Sequence, residues 1–367
     1  MRHTYLYGII KDPDGAATAA PCAESDTPVQ IVAHNGLGCV VSDHVEEEVG
    51  SLPREEIVRR LFAYQRVVEQ VTQRRPVLPV KFGTVLDHAQ EALELLNQGR
   101  AKFAEALGYI QDKIEMDVAA TWDTNRVLQA IGRQEEVARR REELARKGQP
   151  TLEERVQLGQ LVNEQMDSRR DRYRKRMVGL LKPLAFDMVP NPLLSDQMVM
   201  NVAFLIDREK EHAFDERIRW LDQLFDDEVN LRVIGPLPPY SFATVEVTRL
   251  TLEQVEEARS VLGVDDVTAE DTVRRAYRRR AAEAHRSLGA GDLQAKEQFA
   301  RLGKAANLLM GYCRTLREAH SNGIQEVTAA PKQGPLFSIT IRRTENDEVD
   351  AARFGGSHGS VRTARIA

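Results

Sequence analysis

The fold of this sequence can be worked out from the stretch PVLPVKFGTVL, residues 76–86. Its apolar side chains fall on alternate positions, which is the period of a half-buried strand: Leu78, Val80 and Phe82. Pro79 has no backbone N–H to donate, so its N–H side cannot face a paired neighbour. Thr84 with Asp87 three residues later is the pattern of a helix cap. The stretch predicts a strand leading into a helix, at the centre of an α+β unit.

The composition is that of a protein with ordinary cores and long solvated helices. Apolar residues make up 42% of the 367 positions and charged residues 29%, and the net charge of −5 gives no global attraction to nucleic acid. No stretch reaches the roughly 18 apolar residues of a membrane span, and the N-terminus has no pattern of a signal peptide. The three separated cysteines favour a reducing cytoplasm: Cys22, Cys39 and Cys313.

Residues 1–122 predict a first α+β domain. Strands are indicated at 5–11, 28–34, 37–45 and 113–123, and a loop lies between the first two. Asn35-Gly36 favours the positive φ angles of a tight hairpin. One helix is predicted over 51–74, with Ser51 as its cap, and another over 86–106. Strands with two helices on one face predict a ferredoxin-like sandwich.

Residues 123–184 predict an antiparallel helical hairpin, broken at Gly148-Gln149-Pro150 and restarted by a Thr151–Glu154 capping box. Its seam is predicted from residues that step by three or four: Leu152, Val156, Gly159, Val162, Met166, Tyr173, Met177 and Leu180. Arginine clusters at 139–141 and 169–176 have two interpretations. They are either solvated faces beside Glu and Asp, or sites for an anionic partner or RNA.

Residues 185–248 predict a second, smaller α+β domain, which is also expected to be ferredoxin-like. A strand at 198–209 is followed by an amphipathic helix at 210–228, whose inward residues are predicted to be Phe214, Ile218, Leu221 and Phe225. Two further strands flank a proline-rich corner. Tyr240 and Phe242 form the apolar plug of this corner, and we take them as candidate partner-binding residues.

Five segments resemble signatures of the gas vesicle protein F/L family, in the family's order: YLYGII (5–10), LFAYQRVVEQV running into PVLPVKFGTVL (61–86), EMDVAATWD (115–123), NVAFLIDRE (201–209) and GPLPPYSF (235–242). One departure is Leu237, where the family's corner is expected to carry Trp, which concerns local packing only. The resemblance implies two α+β domains joined by a helical hairpin, no enzymatic activity and no cofactor. It also implies contact with the shell protein or other accessory proteins of the gas vesicle, in the cytoplasm.

Residues 249–320 resemble a J-domain, the helical module that stimulates Hsp70 chaperones. Three segments carry the resemblance: LGV (262–264), RRAYRRRAAEAH (274–285) and KEQFARLGKAANLL (296–309). Where the J-domain loop reads His-Pro-Asp, this chain has His285-Arg286-Ser287 in a predicted loop, so we expect a J-like fold without ATPase stimulation. The second helix is predicted to begin near Thr268 and to carry candidate partner-binding residues on its basic face: Arg274, Arg275, Arg278 and Arg279.

The tail, residues 321–367, holds one predicted strand, LFSITIR, suited to pairing with an earlier sheet edge. From Thr344 onward the composition predicts disorder.

Three functions were weighed for the whole chain. The first is a structural or assembly accessory protein of gas vesicles, and the alternative is an Hsp70 co-chaperone acting through the J-like segment. The third is an enzyme, but there is no phosphate-cradling loop, nucleophile context or metal spacing. His34, His44 and His88 share no ligand spacing, and the Lys81–Asp87 pair and Asp207 lack accompanying catalytic groups. The sequence therefore predicts no catalytic, cofactor-binding or metal-binding residues.

Overall fold

The computed structural model describes most of the chain: residues 2–12, 28–45, 52–225, 228–265, 269–287, 293–321 and 335–342. The chain divides into two compact units, one of Met1–Gln111 with Ala243–Ala367 and the other of Asp112–Phe242. Some sequence predictions lie outside the described residues: the loop at 13–27, the caps at Ser51 and Thr268, and the disordered tail from Thr344.

Strands and helices alternate along the chain as the α+β class requires. The strands are β1 (Arg2–Lys11), β2 (Val29–His34), β3 (Leu37–Val45), β4 (Val77–Pro79), β5 (Val85–Leu86), β6 (Lys113–Thr121), β7 (Asp187–Pro190), β8 (Met198–Asp207), β9 (Asn230–Leu237), β10 (Thr244–Leu250) and β11 (Leu336–Arg342). The helices are α1 (Arg54–Thr72), α2 (Ala89–Gln98), α3 (Arg100–Tyr109), α4 (Thr124–Gly132), α5 (Glu135–Arg146), α6 (Leu152–Leu181), α7 (Glu211–Leu224), α8 (Leu252–Leu262), α9 (Glu270–Ser287) and α10 (Leu293–Ser321). Antiparallel sheets combined with these helices confirm the predicted class.

An antiparallel sheet with the strand order β2-β3-β1-β4 organises the first unit, and β5 also pairs with β1. The predicted tight turn between β2 and β3 is confirmed, since Asn35 and Gly36 have φ angles of 51° and 82°. In the opening stretch, Leu78 and Val80 are buried as predicted. Pro79 pairs with β1, and the next residue, Val80, forms a parallel bridge to Val245 of β10.

The side chains of β1 divide the first unit into layers. Leu6 and Ile9 join the core that α2 and α3 cover. Tyr5 and Tyr7 instead contact Tyr64 of α1, with ring centroids 6.5 and 6.0 Å apart. Because neighbouring strand residues point to opposite faces, α1 lies on one face and α2 with α3 on the other. The helices therefore do not share one face, as the sequence prediction had them, and three strands precede the first helix.

The helix predicted over 86–106 is two helices, α2 and α3, which separate at Gly99. A Cβ atom on Gly99 would lie 2.3 Å from Phe103 Cε2 and 2.8 Å from Ile339 Cδ1. The chain therefore bends where two core side chains need the space that a side chain at Gly99 would take.

The helix cap predicted at Thr84 and Asp87 is wrong. The hydroxyl of Thr84 donates backward to the carbonyl of Lys81 at 2.7 Å. The backbone N–H of Asp87 donates to Glu91 Oε2 at 3.0 Å. Because residues 85–86 are part of β5, α2 begins only at Ala89, and Glu91 of its first turn accepts a hydrogen bond from the backbone just before the helix.

The strand predicted in the tail is confirmed as β11. It pairs antiparallel with β10, from Thr244↔Arg342 to Leu250↔Leu336. Phe337 of this strand lies in the same core as the residues that α2 and α3 contribute. The sequence boundaries assigned β10 to the second domain, whereas the structure places it in the first unit. An alternating strand pattern fits either sheet, so the pattern alone did not reveal which one β10 joins.

The second unit has the strand order β7-β8-β6-β9 and the connectivity β-α-β-β-α-β, the ferredoxin-like arrangement predicted for it. β6 pairs with β8 from Lys113↔Asp207 to Thr121↔Met198. The structure thus places β6 in this unit, although the sequence boundary at residue 122 assigned it to the first. The predicted inward residues of α7 are confirmed, since Phe214 enters the core shared with this sheet.

The helical hairpin is confirmed, although its first arm is broken into α4 and α5 around Arg133-Gln134. The arms are antiparallel, because Arg140 hydrogen-bonds Gln157 while Lys147, later in its arm, pairs with Glu154, earlier in the other. The capping box at Thr151 is present as predicted, with both of its hydrogen bonds to Glu154.

The predicted seam of α6 holds only beyond its first two turns. Leu152 is 79% exposed and Val156 is 49% exposed, so both were wrongly placed in the seam. The core is instead contacted by a face rotated away from them, which carries Leu158, Leu161, Val162, Met166 and Tyr173. The contact between Lys147 Nζ and Glu154 Oε1, at 2.5 Å, shows that the 154–158–161 face is turned toward the end of α5.

The appended helices α8, α9 and α10 share a core of their own. Val273 and Tyr277 lie in it as predicted, and α8 ends at Gly263, whose φ of 65° suits glycine. His285, Arg286 and Ser287 form the last residues of α9 rather than a loop, because the helix continues farther than the sequence pattern indicated. The likeness to a J-domain stays a prediction. Within the described ranges, no helix combines the length and apolarity needed to cross a membrane.

Candidate partner-binding surfaces

The charged residues weighed for catalysis in the first unit form structural ion pairs. Lys81 Nζ lies 2.8 Å from Glu246 Oε1 of β10. The guanidinium of Arg249, also on β10, pairs with Asp87 and lies 2.9 Å from Glu91 Oε1. Lys81 and Asp87 therefore each form an ion pair with a residue of β10, and both pairs join β10 to the segment that follows β4.

Asp207, the other residue weighed for catalysis, is held as a carboxylate. Its Oδ2 accepts a hydrogen bond from Lys210 at 2.7 Å, which lowers its pKa. In the first unit, burial raises the pKa of the Cys39 thiol and disfavours the reactive thiolate. Among the described residues, no group of three or more His, Cys, Asp or Glu side chains could hold a metal ion.

Members of both arginine clusters of the hairpin form ion pairs with acidic residues of their own helix. Arg140 lies 3.2 Å from Glu143, and Arg174 lies 2.9 Å from Asp171. These contacts one turn apart are those of a solvated charged face. They favour that interpretation over a surface for RNA.

The basic face predicted on α9 is narrower in the structure than in the sequence. Arg274 lies 3.6 Å from Glu270, a carboxylate that Arg314 and Arg317 also contact from α10 at 3.3 and 2.9 Å. Arg274 is therefore paired within α9, with the carboxylate that Arg314 and Arg317 use to hold α10 to α9. The exposed members, which we call the basic face, are Arg275, Arg278 and Arg279.

The proline-rich corner is fixed by a buried carboxylate that the sequence analysis did not single out. Glu115 of β6 is fully buried, and its two oxygens accept hydrogen bonds from the backbone N–H and the hydroxyl of Ser241, each at 2.7 Å. Tyr240 is half-buried, but Phe242 is only 2% exposed. Phe242 thus serves the predicted plug and offers no surface to a partner.

A pair of large apolar side chains stands out of α7, and we call it the α7 patch. Trp220 is 46% exposed and Leu224 is 37% exposed, while Phe214 and Leu221 on the opposite face are fully buried. The guanidinium carbon of Arg217 lies 5.8 Å from the Trp220 ring centroid. The sequence did carry a signal for this patch, because Trp220 and Leu224 are four residues apart and off the inward stripe.

Comparisons with known proteins agree on one family. The family model for the gas vesicle synthesis protein GvpL/GvpF matches residues 3–244. Gas vesicle protein F of a Nostoc species is 26% identical over 66% of this chain and 98% of its own length. The Streptomyces protein of that name is 29% identical over 65% of this chain and 98% of its own.

Two solved structures that match this chain are also of gas vesicle protein GvpF. The crystal structure of GvpF from Anabaena matches with a TM-score of 0.59 and 26% identity, over 66% of this chain and 98% of its own. The Microcystis aeruginosa GvpF structure, at 24% identity and a TM-score of 0.53, shows the same fold. The family match ends at residue 244, the first residue of β10, and so before α8–α10 and β11. Through residues 3–244, about two thirds of its length, the chain therefore belongs to the gas vesicle protein GvpL/GvpF family.

Proposed function

We propose that this protein is an accessory factor of gas vesicle formation that binds the shell protein, other accessory proteins, or both. Family membership over residues 3–244 supports the gas vesicle role. The names of the relatives, all gas vesicle protein F, point to a structural or assembly role and suggest no enzyme. The proposal places the protein at the gas vesicle, in the cytoplasm.

The observation that carries a binding role is the α7 patch. Its tryptophan is of the residue type that most often dominates binding energy at protein interfaces. Burying a half-exposed Trp and Leu against an apolar partner is favourable by the hydrophobic effect. Arg217 beside the ring adds a cation that an interface can desolvate and orient. We therefore assign the α7 patch as the main contact for the shell protein.

We expect Trp220→Ala to weaken capture of the shell protein by at least about thirtyfold, since a central interface Trp contributes about 2 kcal/mol or more. The measurement is a pull-down titration after co-expression with the shell protein. Phe62→Ala is the matched control, because Phe62 is also 46% exposed but lies on α1 in the first unit. Equal losses in both variants, or none in Trp220→Ala, would rule out the α7 patch.

The basic face is a second proposed contact, for an acidic surface of an accessory protein. Attraction by Arg275, Arg278 and Arg279 weakens as salt shortens the Debye length. Charge reversal at Arg278→Glu should reduce capture of an acidic partner at low salt and have little effect at high salt. If Arg278→Glu reduces capture equally at low and high salt, electrostatic attraction is not the cause of the reduction.

The J-like helices are proposed to lack co-chaperone activity. Arg286 and Ser287, which follow His285, replace the proline and the aspartate of the J-domain motif. We therefore expect the full chain to leave the ATP turnover of a bacterial Hsp70 unchanged, as measured with an intact J-domain protein as positive control. A severalfold acceleration would restore the co-chaperone alternative.

A further inference from the structure

The basic face of α9 is a positive surface that the described carboxylates leave unpaired. α9 contains six arginines and three acidic residues. Two of these carboxylates contact arginines outside the basic face, since Glu270 lies 3.6 Å from Arg274 and Glu283 lies 3.5 Å from Arg280. Within the described part of the chain, no carboxylate lies within 4.0 Å of the three arginines of the basic face. The face therefore keeps its charge for an acidic ligand.

The positive surface extends from α9 onto α10. Arg314 of α10 lies 3.3 Å from Glu270, the carboxylate that Arg274 also contacts, so two guanidinium groups share one negative charge there. Arg274 and Arg278 are four residues apart and lie on the same side of α9. From Glu270 to Arg279 the helix rises about 14 Å. A surface of this length fits an extended segment with several acidic residues better than a single carboxylate.

The strand β11 brings the chain close to this surface. The hydroxyl oxygen of Thr315, the residue after Arg314 on α10, lies 3.4 Å from the carbonyl oxygen of Phe337. From Phe337 to Arg342, where β11 ends, the strand rises about 17 Å. The end of β11 therefore lies within roughly 25 Å of Arg314.

The sequence that follows β11 is acidic. Residues 345–350, which lie outside the described residues and which we call the acidic segment, include four carboxylates: Glu345, Asp347, Glu348 and Asp350. The eight residues from Arg342 to Asp350 reach about 26–29 Å when extended. The second half of the acidic segment can therefore reach Arg314 and the basic face. Its own extended length, about 20 Å, is enough to follow the positive surface along α9.

We propose that the acidic segment binds the basic face in cis, and that an acidic partner must displace it. The regulatory role rests on the partner contact proposed above for the basic face, whereas the contact between the segment and α9 rests on charge and reach alone. Exposed ion pairs contribute little each, so the contact is readily reversible. Because a tethered segment competes at an effective concentration in the millimolar range, it sets a threshold for partner binding.

A spin label on the full chain tests the contact without any partner. Val349→Cys in a Cys22→Ser background places the label within the acidic segment and keeps all four carboxylates, while the two described cysteines are buried. At low salt the label should rotate severalfold more slowly than the same label in the variant Arg278→Glu with Arg279→Glu. About 1 M salt, where the Debye length is about 3 Å, should remove the difference. Equal mobility in the two proteins at low salt overturns the contact.

An acidic probe tests the threshold: fluorescein-labelled deca-glutamate, with binding followed by fluorescence anisotropy. The neutral-tail variant replaces the four carboxylates by amides: Glu345→Gln, Asp347→Asn, Glu348→Gln and Asp350→Asn. At low salt it should bind the probe at least about tenfold more tightly than the native chain. The matched control removes four exposed carboxylates of the hairpin and changes the net charge equally: Glu135→Gln, Glu136→Gln, Glu153→Gln and Glu164→Gln.

The outcomes separate the acidic segment from the surface that it covers. Equal affinity of the native chain and the neutral-tail variant, or an equal gain in the hairpin control, overturns the regulatory role. A neutral-tail variant that does not bind the probe overturns the basic face as an acidic contact, and the cis contact with it. If the segment fails these tests while the native chain binds the probe and Arg278→Glu weakens that binding, the partner contact proposed for the basic face stands.

Discussion

Replacing Phe337 by alanine is expected to release β11 from the first unit. The ring is 1% exposed and lies in a core with α2, α3 and β10. Truncating a buried Phe to Ala costs about 3–5 kcal/mol, from lost transfer free energy and the cavity that remains. Because β11 is held by one neighbouring strand, by side chains of α2 and α3 and by Thr315 of α10, and ends a short segment, we expect this cost to appear as local opening.

Hydrogen exchange followed by mass spectrometry measures this release. The backbone amides of β11 should exchange roughly a hundredfold faster in Phe337→Ala than in the native chain, as a loss of about 3 kcal/mol implies. Thr340→Ala is the matched control, because Thr340 lies on the same strand with its side chain exposed. Exchange that stays slow in Phe337→Ala would show that the β10 ladder alone holds the strand.

Replacing Glu115 by alanine is expected to lower the free energy of unfolding of the second unit by about 3 kcal/mol. The variant removes the acceptor of two charge-assisted hydrogen bonds from Ser241. It also leaves a cavity beneath the proline-rich corner, where Glu115 is fully buried. Glu115→Gln keeps one acceptor oxygen and nearly the same volume, so it should cost about half as much.

Urea unfolding followed by tryptophan fluorescence measures the cost of both variants. The two tryptophans of the sequence, Trp122 and Trp220, both lie in the second unit, so the signal follows that unit. The midpoint should fall in the order native, Glu115→Gln, Glu115→Ala, with little change in slope. A free energy of unfolding for Glu115→Ala within about 0.5 kcal/mol of the native value would contradict the assigned role of this carboxylate.

Local elements could be predicted from the sequence because their causes are local. The Asn35-Gly36 turn, the Thr151–Glu154 capping box and the inward stripe of α7 each depend on residues a few positions apart. The strand at the tail was predicted for the same reason. Its β-branched and aromatic residues favour extended structure whatever its partner is.

Long-range strand pairings and the candidate surfaces could not be predicted from the sequence, because they depend on residues far apart in the chain. β6 and β10 have patterns that fit either sheet, so the sequence boundaries assigned each to the unit where it does not pair. Glu115 looks like an outward residue of a strand, and its burial depends on Ser241, 126 positions away. Phe242 and Trp220 are both aromatic residues of the second unit, and only the packing shows that the first is buried and the second exposed.

The discontinuous composition of the first unit has a consequence for biosynthesis. During synthesis, β1–β5 and α1–α3 leave the exit tunnel early. β10 leaves it only after the whole second unit, and β11 only after the appended helices as well. At about 5–20 residues per second, the nascent N-terminal segment waits on the order of ten seconds or longer for the strands that cover Phe103. Nascent-chain complexes stalled before residue 335 should therefore expose this apolar surface to ribosome-associated chaperones, whereas complexes stalled on a C-terminal linker long enough to bring residue 342 out of the tunnel should not.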